Sequence, residues 1–390
     1  MKWIRGENRL LAVLFIAFIV CVGGFALAKA GGWFLLNSVQ ASSVKKNLEA
    51  RYQDMLPHGT PLIDKGTFIN FNGLMGRAMG QRHLNKAVKL NNGHLTDRKD
   101  DIDPSPFAQN VVELNDFLSA EGIPFVYVSA PHKNCKYDPQ LPAGDTDYIN
   151  QTLDGFLEIL AQNNVNFLDL RESLHDDGMS HYDSFFVTDH HWKPETALWA
   201  SGEILSHLHQ SGYLPKPDPF FTDPENYHTE VYENWFLGAN GKRTGIYYAG
   251  RDDISVMWPR FETDITMSVP STALSRSGPF RQSLLFEERL AKPGYFTQNP
   301  YVVYTNGDHD LALFENAGAH LDSKILIIKD SFSLPLRAFL SVSVSHIATL
   351  DLRYYNQSLR EFIEDYQPDI VMMIYNADIF FDTMFTGLGE

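Results

Sequence analysis

The chain has 390 residues, 44% of them hydrophobic and 21% charged, with a formal net charge of −16 and an isoelectric point near 5.3. This is a globular composition, long enough for one large domain or two smaller ones. So acidic a surface argues against nucleic acid as a partner, because phosphate binding needs a basic footprint, and it gives no attraction to anionic lipid.

The first element in chain order is apolar. Lys2, Arg5 and Arg9 precede an uncharged run from Leu10 to Ala28. About 19 residues as a helix cross a ~30 Å hydrocarbon core. The basic flank makes residues 1–9 a cytoplasmic tail and residues 10–29 a single-pass anchor, with the rest periplasmic or extracellular. A cleaved signal peptide ending at Ala26-Leu27-Ala28 is the rival reading. The run exceeds the usual signal core of about 7–15 residues, which favours an anchor. Cys21 lies in this run and Cys135 in the exported body, so they do not pair, and the fold rests on its core.

Residues 30–101 are mixed and polar, closing in the loop GHLTDRKDDIDPSP, and read as a stalk and lead-in. Residues 102–390 then alternate between helical and strand patterns. Apolar spacing predicts helices over Ala108–Gly122, Asp147–Asn164 and Lys193–Gln210, and buried strands over Ile123–Ala130 and Val165–Leu170. From about residue 211 to 300 the period is lost, and the stretch reads as an insertion. Its Trp235, Tyr247, Tyr248 and Trp258 are candidates to stack on sugar rings or simply to pack the insertion. Strands return over Lys324–Asp330, His346–Leu352 and Asp369–Asn376, with a helix over Gln357–Tyr366. Short apolar strands between helices imply an α/β fold with a parallel sheet covered on both faces. In such sheets ligands bind beyond the carboxyl ends of the strands.

The chemistry is sought there. Lys324–Asp330 runs straight into Ser331, a serine at a strand-to-helix turn. Its hydroxyl can attack a carbonyl, and the turn's backbone N–H groups can hold the oxyanion. A serine nucleophile needs a base, and the base an orienting acid. The stretch TDHHWKP, Thr188 to Pro194, supplies both. On an extended segment Asp189 and His191 share a face and His190 points away, so His191 is the base and Asp189 the orienter. Asn376, at another strand end, is a candidate oxyanion donor, and Arg353 is a candidate to steer an acidic group or brace its loop. Asp189, His190 and His191 as metal ligands is the weaker reading, because adjacent histidines rarely converge on one ion. No metal and no diffusible cofactor is expected.

The order "apolar strand, D-S, helix" resembles the first block of the SGNH hydrolases, and PDIVMMIYN resembles their third. D-H-H-W, with KILIIKDSFS and DLRYYN, closely resembles the DHHW family, related to the alginate O-acetylation proteins AlgX and AlgJ. NGLMGRAMGQRH, WFLGANGKRTG and NGDHDLALFEN extend the likeness over most of the chain. The resemblance implies an SGNH-like, flavodoxin-like fold with a Ser331-His191-Asp189 triad. It implies acyl transfer, usually of acetyl, onto an exported or cell-surface polysaccharide, with a membrane-bound O-acyltransferase partner supplying the donor. The sequence departs from SGNH hydrolases in three ways. The Asp-His motif precedes the serine, a permuted order; the spacing is D-x-H; and Lys329 replaces the glycine of G-D-S. An esterase with the same triad, and a non-catalytic polysaccharide-binding component of an export complex, are the alternatives.

Overall fold

The computed structural model describes residues 65–388 except 292 and 386, together with residues 13, 16, 17, 20 and 24. Apart from those five positions, the expected tail and anchor lie outside the described residues. Among the described residues no helix is long and apolar enough to cross a membrane. The chain divides into two compact units, Met1–Asn72 and Gly73–Glu390. The second holds every candidate residue.

In chain order the elements are α1 (Lys65–Ala78), β1 (His83–Leu84), β2 (Ala87–Lys89), β3 (Leu95–Asp97), α2 (Ser105–Ala120), β4 (Phe125–Ala130), α3 (Tyr148–Gln162), β5 (Phe167–Asp169), α4 (Leu170–Asp176) and α5 (Pro194–Gln210). Next come β6 (Tyr227–Phe236), α6 (Ala239–Thr244), α7 (Ile246–Ala249), β7 (Asp252–Pro259), β8 (Ile265–Val269), β9 (Leu274–Gly278) and α8 (Phe280–Leu284). The chain closes with β10 (Leu311–Asn316), β11 (Leu321–Lys329), α9 (Ser333–Ser343), β12 (Val344–Leu350), α10 (Leu359–Tyr366) and β13 (Ile370–Asn376). Every helix and strand read from periodicity is present, with ends shifted by a turn or less. Capping sets several of those ends. Asp147 accepts from the Asn150 N–H at the start of α3, and Ser358 from the Glu361 N–H at the start of α10.

The main sheet has eight strands in the order β5-β4-β13-β11-β12-β10-β8-β9. The first five are parallel and the last three antiparallel. The purely parallel sheet expected from the sequence is therefore corrected to a mixed one. The reason lies in the connections. β8 and β9 are joined by the short turn Pro270–Thr272, and so few residues permit only a hairpin. Both strands fall in the stretch that reads as an insertion, so part of that stretch completes the sheet. The rest includes the antiparallel hairpin of β6 and β7.

Successive side chains on a strand face opposite ways, and here both faces are buried. Val126, Val128, Ile325, Ile327, Met372 and Ile374 enter one core with α5 and α9. Phe125, Tyr127, Leu326, Ile328, Val371 and Met373 enter the other with α2, α3 and α10. α9 is buried along its whole length. The helix is buried on every side, and Ser331, two positions before its first residue, is seated with it at the sheet edge. Before the main sheet, β1, β2 and β3 form a small antiparallel sheet, and its Leu84 and Leu95 pack with Leu237, Tyr248 and Ala249.

Candidate active site

Ser331 sits between the end of β11 and the start of α9, at the carboxyl edge of the parallel strands. Its Oγ lies 2.7 Å from His191 Nε2. His191 Nδ1 lies 2.5 Å from Asp189 Oδ1. With the proton on Nδ1, His191 donates to the Asp189 carboxylate and accepts from the serine hydroxyl. The His191 ring stacks on Tyr301 with centroids 4.1 Å apart, which fixes its plane.

The loop achieves this differently from the extended segment expected. It is a series of bends, and Asp189 Oδ1 also accepts from the His191 backbone N–H at 3.0 Å. This local turn brings acid and base together, because a short carboxylate readily bonds the backbone two residues on. His190 does not point away. Its ring lies 3.9 Å from that of His191, and its side chain is 31% exposed.

Four groups hold the acid. Asp189 Oδ2 accepts from the Ala239 N–H at 2.6 Å. Gly238 packs so tightly that a Cβ there would lie 2.2 Å from the Asp189 Cβ. The buried Lys133 ammonium donates to the Asp189 carbonyl and to those of Leu95 and Val187. Asp252 accepts from the Val187 and Thr188 N–H groups and the Thr188 hydroxyl. Burial by itself raises the Asp189 carboxyl. The His190 and His191 rings, the hydrogen bond from His191 and the Ala239 N–H together hold it well below the usual range. Burial lowers Lys133 to about 8, against the pull of Asp252, Asp189 and Asp97.

On the nucleophile's side, Asp330 is fully buried. Its Oδ2 accepts from both the backbone N–H and the side-chain amide of Asn376, each at 2.7 Å, and its Oδ1 from the Phe332 N–H at 2.8 Å. Burial raises its carboxyl to about 6, opposed by these hydrogen bonds and by Arg353. Asn376 Oδ1 accepts from the Asp378 N–H at 2.9 Å. Only the second hydrogen of the Asn376 amide is left for another acceptor. The Ser331 N–H donates to no group among the described residues. Arg353 is engaged in ion pairs at its own strand end. It forks onto Asp351 at 2.8 and 2.6 Å and reaches Asp308 at 3.2 Å. Lys329, where G-D-S proteins have glycine, is buried and shares both carboxylates.

Asp189, His190 and His191 bring possible ligand atoms within 4.8 Å of one another. Both Asp189 oxygens and both His191 ring nitrogens already carry hydrogen bonds, which leaves a metal only His190.

Residues 92–231 match the sequence model of a family described as "SGNH hydrolase-like domain, acetyltransferase AlgX". Over those residues the chain is similar to the SGNH-like domain of AlgX-type acetyltransferases. The matched stretch contains Asp189 and His191 and ends before Ser331. The fold is similar to that of Bacillus cereus PatB1, at 20% identity over 75% of this chain and 97% of that one, with a TM-score of 0.63. PatB1 with a sulfonyl adduct aligns with the same identity and coverage at 0.61. A DHHW family protein from Eubacterium siraeum aligns at 17% identity over 79% of this chain and 94% of that one, at 0.60. These are likenesses of fold. No curated protein sequence matches the chain.

Around the SGNH-like site, the sequence reading missed Lys133, Gly238, Ala239, Asp252, Tyr301 and Asp330 as contributors. Only the glycine-rich WFLGANGKRTG held a signal, since paired glycines mark a close backbone approach. The four insertion aromatics do not gather into one platform. Tyr248 is buried with its hydroxyl on the Gln81 carbonyl, and the Trp235 indole donates to Leu290, while Tyr247 is exposed.

Proposed function

We propose that the SGNH-like domain is an O-acyltransferase that moves an acyl group, with acetyl the first choice, onto a polysaccharide hydroxyl outside the cytoplasm. Residues 10–29 anchor it, and a membrane-bound O-acyltransferase presents the donor. The observation that carries this reading is the 2.7 Å separation of Ser331 Oγ from His191 Nε2, with the other ring nitrogen on Asp189.

In the first half-reaction His191 Nε2 takes the hydroxyl proton as Ser331 Oγ attacks the acyl carbonyl. The Ser331 N–H and the remaining amide hydrogen of Asn376 face the oxyanion. Collapse expels the donor's leaving group, which takes the proton from His191 and leaves an acyl-serine. In the second half-reaction His191 deprotonates a sugar hydroxyl. That oxygen attacks the acyl-serine, the ester passes to the sugar, and the proton returns to Ser331. Asp189 stabilises the imidazolium both times.

The test is turnover of an acyl-ester reporter by wild type and Ser331→Ala. Release dependent on Ser331 supports the reading, and equal release ends it. Ser331 is partly exposed, so water also reaches the acyl-serine, and an esterase is the second reading. Adding a glycan acceptor separates the two. A transferase shifts product from free acid to sugar ester, and an esterase does not.

A further inference from the structure

The ends of β4 and β13 bring a second polar group beside the triad. Asp378 follows Asn376 by two positions and is tied to it through its own N–H. Its Oδ2 lies 3.1 Å from Lys99 Nζ and 3.8 Å from His132 Nε2. His132 is 1% exposed, and its Nδ1 accepts from the Asn134 N–H at 3.0 Å. Its proton is therefore on Nε2, which has no hydrogen-bond partner among the described residues. A buried donor without an acceptor is uncommon and points to a missing partner. His190 stands on the other side. Its ring packs on that of His191 and makes no hydrogen bond among the described residues. Burial raises the Asp378 carboxyl, but His132, Lys99 and His190 together hold it below the usual range; of these, the Lys99 ammonium and the His132 ring lie within 4 Å of it. Lys99, Asp378 and His190 each reach solvent in part. His190 also touches the triad, its Nδ1 lying 3.6 Å from Asp189 Oδ1, whereas the ion pair of Lys99 and Asp378 is separate from it.

We infer that Asp378, Lys99 and His190 form the subsite that receives the acceptor's hydroxyls, and that the acceptor is a neutral glycan presenting adjacent hydroxyls. Each sugar hydroxyl is donor and acceptor at once, so a neighbouring carboxylate and ammonium satisfy a pair of them. Charge-assisted hydrogen bonds of this kind are the stronger class. The His190 ring borders the diol on the side of His191, which sets one hydroxyl within reach of the catalytic imidazole. A polyanionic chain is disfavoured by the protein's net charge of −16. The word acceptor rests on the acyl-transfer reading above; the binding itself does not require Ser331.

The test uses full-length Ser331→Ala protein and calorimetry with neutral hexamers of glucose, mannose and N-acetylglucosamine, and with a galacturonate hexamer. We expect at least one neutral hexamer to bind and the galacturonate to bind more weakly. Adding Asp378→Asn weakens the neutral hexamer about tenfold or more, and Lys99→Gln, nearer the surface and safer for folding, about threefold or more. Full affinity in both double variants, no binding of any neutral hexamer, or tighter binding of galacturonate overturns the subsite. Failure of the serine chemistry shows separately, as ester turnover equal in wild type and Ser331→Ala, and leaves the binding result standing.

Discussion

The Trp192 indole N–H donates to the Phe332 carbonyl at 3.0 Å, a bond between residues 140 positions apart. Trp192 follows His191 and Phe332 follows Ser331, so one buried hydrogen bond fixes the His191 loop relative to Ser331. Trp192 is fully buried, and its ring also packs on that of Phe332, with centroids 5.4 Å apart.

Trp192→Phe keeps an aromatic ring and deletes the donor. The Tyr301 hydroxyl, at 3.5 Å, remains as a side-chain donor to the Phe332 carbonyl. Thermal melts should show a loss of about 1–3 kcal/mol, and ester turnover should fall because the His191–Ser331 distance is no longer pinned. An unchanged turnover rate with a lowered melting temperature would make the bond structural only.

Gly238→Ala places a methyl 2.2 Å from the Asp189 Cβ and 2.4 Å from its Cα. The backbone of the acid must move. Overpacking of this kind destabilises by about 1–3 kcal/mol, and a displacement near 1 Å lowers turnover about a hundredfold. Parallel melting and ester-release measurements check it; near-wild-type kcat would show that the loop adapts.

Lys133→Met removes the donor shared by the carbonyls of Leu95, Val187 and Asp189. The buried Leu95 and Asp189 carbonyls lose this charged donor, each loss worth about 1.5 kcal/mol, while the Val187 carbonyl keeps the Leu95 N–H at 2.9 Å. We expect a drop of about 3 kcal/mol in unfolding free energy, with lowered kcat at temperatures where the fold persists. Chemical denaturation reads the first and initial rates the second.

Asp330 gives a pH dependence with a definite sign. Its carboxyl is raised to about 6 in the folded protein by burial. An unfolded aspartate titrates near 3.9, so between about 4 and 6 the folded chain holds a proton that the unfolded chain has released. The group's contribution to stability is complete at acid pH and is lost as pH rises through about 6. Asp330→Asn removes that loss. Between pH 4.5 and 7.5 the variant should gain about 2 kcal/mol on the wild type, whatever its absolute stability. The same change weakens the hold on Asn376, and kcat should fall about tenfold or more with KM little altered. Parallel stability curves at the two pH values would refute the first part.

The sequence by itself determined the local elements and singled out the candidate residues. A continuous apolar run marks a strand buried on both faces and a 3.6 period a helix buried on one, so β4, β11, β13, α3 and α5 were legible. Ser331 and the Asp189–His191 pair were legible because a nucleophile at a strand end and an acid–base doublet are local patterns. Tertiary structure alone decided the rest. It made the sheet mixed, because strand direction depends on which neighbour a strand meets. It gave the Asn376 amide to Asp330 and Arg353 to Asp351, because two polar groups find each other only once the strand ends converge. It supplied Gly238, Ala239, Lys133 and Asp252 around Asp189, since backbone N–H groups and carbonyls carry no mark in a sequence. A hydrogen bond between residues 140 positions apart has no periodicity to betray it; only packing can bring its two ends within 3.0 Å.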